Sequence, residues 1–148
     1  MRLQRDDYSC GPLAALNAVE AMSGLVLPVP PFRRAAGTTP RHGTSDPGLL
    51  RALACAGYAA RPVHAGYAPA RAALVRHLRR GGAGILLTEG GGHWEAAVGL
   101  LGSRVLVWDS QSGLASLDRH GLRRRWTPWG GRRYSLLLSP LGAGCAAR

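Results

Sequence analysis

Helix-period patterns in the first half and strand-like runs in the second predict an α+β domain, helices packed on an antiparallel sheet. Three observations carry that expectation. A strongly apolar segment with helix-start and helix-stop signals opens the chain. Further helical patterns end on glycines before residue 83. Beyond it, short apolar runs separated by Gly-containing turns take over.

Ser9 is a good N-cap residue, and Pro12 suits an early helical position because its missing N–H has no helical partner there. Leu13, Leu16, Asn17, Ala18 and Met22 follow at helical spacing and Gly24 is the stop, so a helix is expected from Cys10 to Ser23. Residues 25–45, rich in Pro, Gly, Arg and Thr, read as a loop. Ser45-Asp46-Pro47 opens a second helix through Leu49, Leu50, Leu53 and Ala54, ending near Gly57. Tyr58 to Val63 is a candidate strand, and Pro69 to Arg80 a third helix stopped by Gly81-Gly82. Gly84 to Thr88 reads as a buried strand. His93 to Leu100 and Val105 to Asp109 form a hairpin across Gly102-Ser103. Ser110 to Gly113 is a turn, Ser116 to Trp126 is short-helical or irregular, and Tyr134 to Leu138 is the last strand. The expected organisation is one domain over 1–148, with its core at about 3–140 and a frayed tail at 141–148.

The chain has 148 residues, enough for one core without disulfide or metal staples. No apolar run is long enough to span a bilayer. Met1 to Asp7 lacks the apolar stretch of an export signal, so a cytoplasmic location is expected. The three cysteines, Cys10, Cys55 and Cys145, form no CxxC or CxxH pair, which weighs against structural zinc. The formal charge of +11 raises the question of nucleic acid. Every basic residue is Arg, scattered in singles and short runs, among them Arg123-Arg124-Arg125 and Arg132-Arg133, and no basic segment is interleaved with stacking aromatics. Nucleic acid is therefore not the expected partner, while an acidic peptide remains open.

Four residues form the candidate site. Cys10 stands where a helix begins, and the unpaired N–H groups and partial positive charge of a helix N-terminus favour a thiolate. Gln4, six residues earlier, offers a side-chain amide that with the Cys10 N–H could stabilise an oxyanion. His93 opens a strand after three glycines, from where its ring can reach a helix N-terminus as general base and acid. Asp109, sixteen residues on and at the end of the returning strand, can orient the imidazole. Each alone has a plain structural reading: a core Cys, an exposed Gln, a structural His, a turn Asp. Glu95 shares the His93 face by strand alternation and is a candidate supporting residue. Trp94, Trp108, Trp126 and Trp129 are read as packing residues, and Cys55 as core. Cys145 is read as incidental, and His42, His64, His77 and His120 as surface or loop residues.

Taken in order, the segments Gln4-Arg5-Asp6-Asp7-Tyr8-Ser9-Cys10-Gly11-Pro12-Leu13-Ala14, Gly92-His93-Trp94-Glu95-Ala96-Ala97-Val98 and Val105-Leu106-Val107-Trp108-Asp109 resemble the C39 family of bacterial cysteine peptidases. Trp126 and the strand after it fit the closing element of that family. The resemblance implies a papain-like fold, a Cys10 nucleophile, a His93 base, an Asp109 orienter and a Gln4 oxyanion donor, with no metal or organic cofactor. The implied partner is a peptide or protein substrate, with an exporter or precursor peptide beside it. One departure stands out: the family commonly has Pro after the acidic residue, and here Ser110 takes that place. Three other readings use the same residues or charge: an amidase or acyltransferase with the same machinery, a non-catalytic peptide-binding module, and a basic nucleic-acid-binding protein.

Overall fold

The computed structural model describes residues 1–142, so Cys145 and most of the expected tail lie outside the described residues. In chain order the elements are α1 (Cys10–Ser23), α2 (Val29–Ala36), α3 (Asp46–Cys55), β1 (Tyr58–Ala65), α4 (Tyr67–Arg79), β2 (Ala83–Thr88), a 3-10 turn (Glu89–Gly91), β3 (His93–Leu101), β4 (Arg104–Asp109), β5 (Gly113–Leu117), α5 (Arg119–Arg125) and β6 (Arg133–Pro140).

The six strands form one antiparallel sheet in the order β1-β6-β2-β3-β4-β5. Strand alternation divides its apolar residues between two layers. Ile85, Leu87, Trp94, Ala96, Leu136 and Leu138 pack with α1, α2 and α3, while Leu86, Ala97, Val105, Val107 and Leu137 pack with α4 and α5. Covered on both faces, β2 has every residue buried, which is why its sequence runs apolar without alternating. Fully burying one of these Leu or Ile side chains is worth roughly 1.5–3 kcal/mol, so the two layers supply most of the driving force for folding.

Helix α1 is central. Residues Gly11 to Val19 are all buried, as expected of a helix that is apolar nearly all round. The polar member of that run, Asn17, accepts from the Arg2 N–H at 2.8 Å and donates to the Arg2 carbonyl at 3.1 Å. Trp108 donates to the same carbonyl at 3.0 Å. The N-terminal segment is thereby stitched across α1 onto β4. Gly24 ends the helix at φ 72°.

Several expectations are corrected. Residues 25–45 are not all loop: α2 forms inside them, started by its prolines in the first turn and stopped by Gly37 at φ 65°, with Phe32 and Ala36 buried. The composition masked a short amphipathic helix. The segment near Ser116 contributes strand β5 before α5, because a sheet edge on β4 is open to it. Ser9 precedes α1 without capping it by its side chain; its hydroxyl donates to Asp6 Oδ2 at 2.8 Å instead. Cys55 is exposed and not core, because α3 buries Gly48, Leu49, Ala52 and Leu53 on its other face. Leu141 still donates to the Gly57 carbonyl at 2.9 Å, so pairing continues past residue 140.

The buried Trp126 donates to the Tyr134 carbonyl at 3.0 Å, and Trp108 is partly buried, both as packing residues. Trp129 packs against His64 and Tyr134 but is 45% exposed. His77 is more than a surface residue: its Nε2 bonds the Leu138 carbonyl at 2.6 Å. Part of the arginine excess serves packing too, with the Arg123 and Arg133 guanidinium groups 5.5 and 5.4 Å from the Tyr67 ring centre. Among the described residues no helix is long and apolar enough to cross a membrane.

Candidate active site

Cys10 is the first residue of α1. The turn before it is held by Asp6, whose Oδ1 accepts from the Tyr8 and Ser9 N–H groups at 3.1 and 2.8 Å. Burial would raise the Asp6 carboxyl, but bonds from Ser9 and Tyr8 outweigh it and hold the pKa below its ordinary value. Cys10 therefore enters the helix from a fixed direction. Its side chain is half-buried and lies in an open groove of about 270 Å³ whose walls include Tyr8, His42, Thr44, Gly92 and Trp94. His42, expected as an unconnected surface residue, is thus part of the groove. Trp94 is both core and groove wall. A larger hollow of about 630 Å³, bordered by Arg2, Arg5 and Arg33, contains neither Cys10 nor His93.

His93 is the first residue of β3, delivered there by the glycine turn. Gly90 and Gly91 have φ values of 63° and 99°, which L side chains rarely adopt, and Gly91 lies against Trp129. His93 is 3% exposed. Its Nε2 is 2.8 Å from Asp109 Oδ1 at the end of β4. Burial works against a charged ring, but interaction with the Cys10 side chain and with Asp109 outweighs it and raises the His93 pKa from 6.5 to about 9. With Nε2 engaged by Asp109, Nδ1 is the nitrogen left for the thiol.

Asp109 is 6% exposed and saturated with donors. Oδ1 also accepts from the Gln111 N–H at 2.9 Å, and Oδ2 accepts from the Ser112 hydroxyl at 2.6 Å and from Arg125 Nη2 at 3.2 Å. Burial favours its neutral form, yet the bonds from Ser112, Gln111 and His93 prevail, so its pKa lies below the usual carboxylate range. The turn read from Ser110 to Gly113 therefore aims the carboxylate.

Glu95, on the expected face two residues beyond His93, is also buried. Its Oε2 accepts from Arg125 Nε at 2.6 Å and its Oε1 from the Thr88 hydroxyl at 3.3 Å. Burial raises its pKa, and the Arg125 cation only partly offsets that. Arg125 thus bridges Glu95 and Asp109 from the end of α5. Sequence reasoning missed it, since one arginine in Arg123-Arg124-Arg125 looks like its neighbours. Its helical position relative to buried Leu122 was the available signal. His93, Glu95 and Asp109 also offer ligand atoms within 4.8 Å of one another, the one such grouping among the described residues. A metal cation there would have to displace the guanidinium that already bridges both carboxylates.

Gln4 is tied to the same end of the sheet. Its N–H donates to the Ser110 carbonyl at 2.6 Å, and its Oε1 accepts from the Ser110 hydroxyl at 2.8 Å. Its Nε2 is buried and has no hydrogen-bond partner. The structure thus joins His93 with Asp109, sets Cys10 against His93, and anchors Gln4 on the residue after Asp109. A thiol, an imidazole and a carboxylate are the groups that acyl transfer through a thioester uses.

No protein-family model matches the chain, and no curated protein matches it. Solved structures do. A double glycine motif protease from an AMS/PCAT transporter, crystallised with the leader peptide, superposes with a TM-score of 0.68 at 17% identity over 93% of this chain and 89% of that one. The peptidase domain of Streptococcus ComA, a bi-functional ABC transporter involved in quorum sensing, gives 0.68 at 17% identity over 94% and 96%. The Streptococcus mutans ComA peptidase domain gives 0.64 at 17% identity over 95% and 98%. The likeness covers nearly the whole of each chain, and the fold of this protein is the papain-like fold of C39 double-glycine peptidase domains.

Proposed function

We propose that this protein is a cysteine peptidase in which Cys10 is the nucleophile, His93 the general base and acid, Asp109 the orienter and Gln4 an oxyanion donor. The observation that carries the reading is the buried His93–Asp109 pair at 2.8 Å, with a His93 pKa of about 9 that depends in part on Cys10. At neutral pH that value keeps the imidazolium available beside a thiolate.

In the first half-reaction the Cys10 Sγ lone pair forms a bond to the substrate carbonyl carbon, and the C=O π pair moves onto oxygen. Gln4 Nε2–H and the Cys10 N–H donate to that oxyanion. As the carbonyl re-forms, the C–N bond breaks and His93 gives its proton to the departing amine. A thioester on Cys10 remains. In the second half-reaction His93 takes a proton from water, the oxygen bonds to the acyl carbon, the C–S bond breaks, and the carboxylic acid leaves. Asp109 keeps the ring oriented and stabilises its charged form throughout.

The substrate we propose is a leader-type peptide with two glycines ahead of the scissile bond, because the neighbours include a double glycine motif protease bound to a leader peptide. Such a peptide would lie in the groove that holds Cys10, between Tyr8, Gly92 and Trp94. A fluorogenic peptide carrying Gly-Gly before the cleaved bond tests both parts. Wild type is expected to cut it after the second glycine, and Cys10→Ala to reduce turnover at least about 1000-fold with the fold retained. Turnover by Cys10→Ala would overturn the mechanism. An uncut Gly-Gly peptide alongside cleavage of other peptides would overturn the substrate assignment.

A further inference from the structure

We infer that Ser110 is a positioning residue that holds the Gln4 side-chain amide in place, so that its N–H stays where the developing oxyanion needs a donor. The inference rests on the peptidase reading above and assigns a role to a residue that reading does not use.

A free glutamine side chain samples many rotamers, and few of them put its N–H where an oxyanion forms. Ser110 is bonded to Gln4 twice. Its carbonyl accepts from the Gln4 main-chain N–H at 2.6 Å, which fixes where the side chain starts. Its hydroxyl donates to Gln4 Oε1 at 2.8 Å, which holds the far end of the side chain. Ser110 is 2% exposed, so water does not compete freely for either bond. With Oε1 occupied, Nε2 is the amide atom left over, and it is buried without a partner. An unsatisfied buried N–H is costly, and an arriving oxyanion would relieve that cost. Because Ser110 directly follows Asp109, one short segment sets both the ring orienter and the oxyanion donor. A proline at this position could keep the main-chain bond but would have no hydroxyl for the amide.

The test is a double-mutant cycle read in two assays, hydrolysis of the fluorogenic Gly-Gly peptide and alkylation of Cys10 by iodoacetamide. Alkylation displaces iodide and forms no oxyanion, so it reports the Cys10–His93 couple alone. Losing one oxyanion donor typically costs about 100- to 1000-fold in kcat, and Gln4→Ala is expected near the lower end with KM little changed. Ser110→Ala, which keeps the main-chain bond, is expected to lower kcat about 5- to 20-fold at unchanged KM, because the amide is then no longer held and spends most of its time in other rotamers. The double variant should be no slower than Gln4→Ala. Ser110→Thr, which keeps the hydroxyl, should stay within about 3-fold of wild type. All four should alkylate at the wild-type rate. Multiplying losses in the double variant, an unchanged kcat in Ser110→Ala, or slowed alkylation would overturn the inference. An unchanged kcat in Gln4→Ala would instead overturn the oxyanion role of Gln4 on which it rests.

Discussion

Arg125→Gln is the substitution whose consequence the structure defines most closely. It removes the cation that reaches Glu95 Oε2 at 2.6 Å and Asp109 Oδ2 at 3.2 Å. Two buried carboxyls then face each other, with His93 and Cys10 beyond them. One oxygen of each lies within 4.8 Å of the other, and at an effective dielectric constant of about 20 two full charges at that separation repel by roughly 3–4 kcal/mol. Breaking a buried ion pair from one side costs about 3–5 kcal/mol, but the Arg125 side chain is 29% exposed, which lets water replace part of it. A loss of about 2–3 kcal/mol at pH 8 follows, or roughly 5–10 °C in Tm for a chain of this size.

The loss depends on pH in a defined direction. Glu95 already has a raised pKa through burial, and losing Arg125 raises it further. A carboxyl whose folded pKa lies above its unfolded one binds its proton more tightly when folded. Stability is therefore gained as pH falls and lost as it rises. The deficit of Arg125→Gln should shrink toward pH 5, and adding Glu95→Gln should restore at least half of it at pH 8. Urea unfolding at both pH values, on wild type, Arg125→Gln and the double variant, measures this. A deficit independent of pH, or a double variant no more stable than the single one, would refute the idea that Arg125 neutralises paired carboxylates.

Two further outcomes follow from the site. The His93 pKa of about 9 places the alkaline limb of kcat/KM for the Gly-Gly peptide near pH 9, since turnover falls as the imidazolium loses its proton; a limb near 6.5 would contradict the pairing. Gly91→Ala would hold Ala at φ 99° with its Cβ 2.5 Å from Trp129 Cδ1, so a destabilisation of about 2–3 kcal/mol in urea unfolding is expected, and a loss below about 0.5 kcal/mol would show that the turn is not constrained as described.

What could be read from the sequence divides along physical lines. Helix α1 was legible because its start, apolar run and Gly24 stop agree, and the β3–β4 hairpin because two apolar runs flank a Gly turn. Helix α2 was not, since its prolines and arginines look like loop composition until Phe32 and Ala36 find a surface to cover. Strand β5 was not either, because it depends on a neighbour and not on its own pattern. Cys55 was misplaced because an apolar helix does not by itself reveal which face it buries. At the site, the four chemical groups were visible as residue types in order. Their supports were not, because Arg125, Ser112 and Ser110 act through hydrogen bonds that only the folded chain brings together.

The most direct test of the central claim is the rate of Cys10 alkylation by iodoacetamide at pH 7, in wild type and in His93→Ala, with Cys55 as internal reference. Cys55 is exposed and Cys10 only half-buried, so access alone would label Cys55 first. An activated thiolate beside His93 predicts that Cys10 reacts at least about 10-fold faster than Cys55, and that His93→Ala removes this advantage. Cys10 labelling no faster than Cys55, or labelling unaffected by His93→Ala, would contradict it.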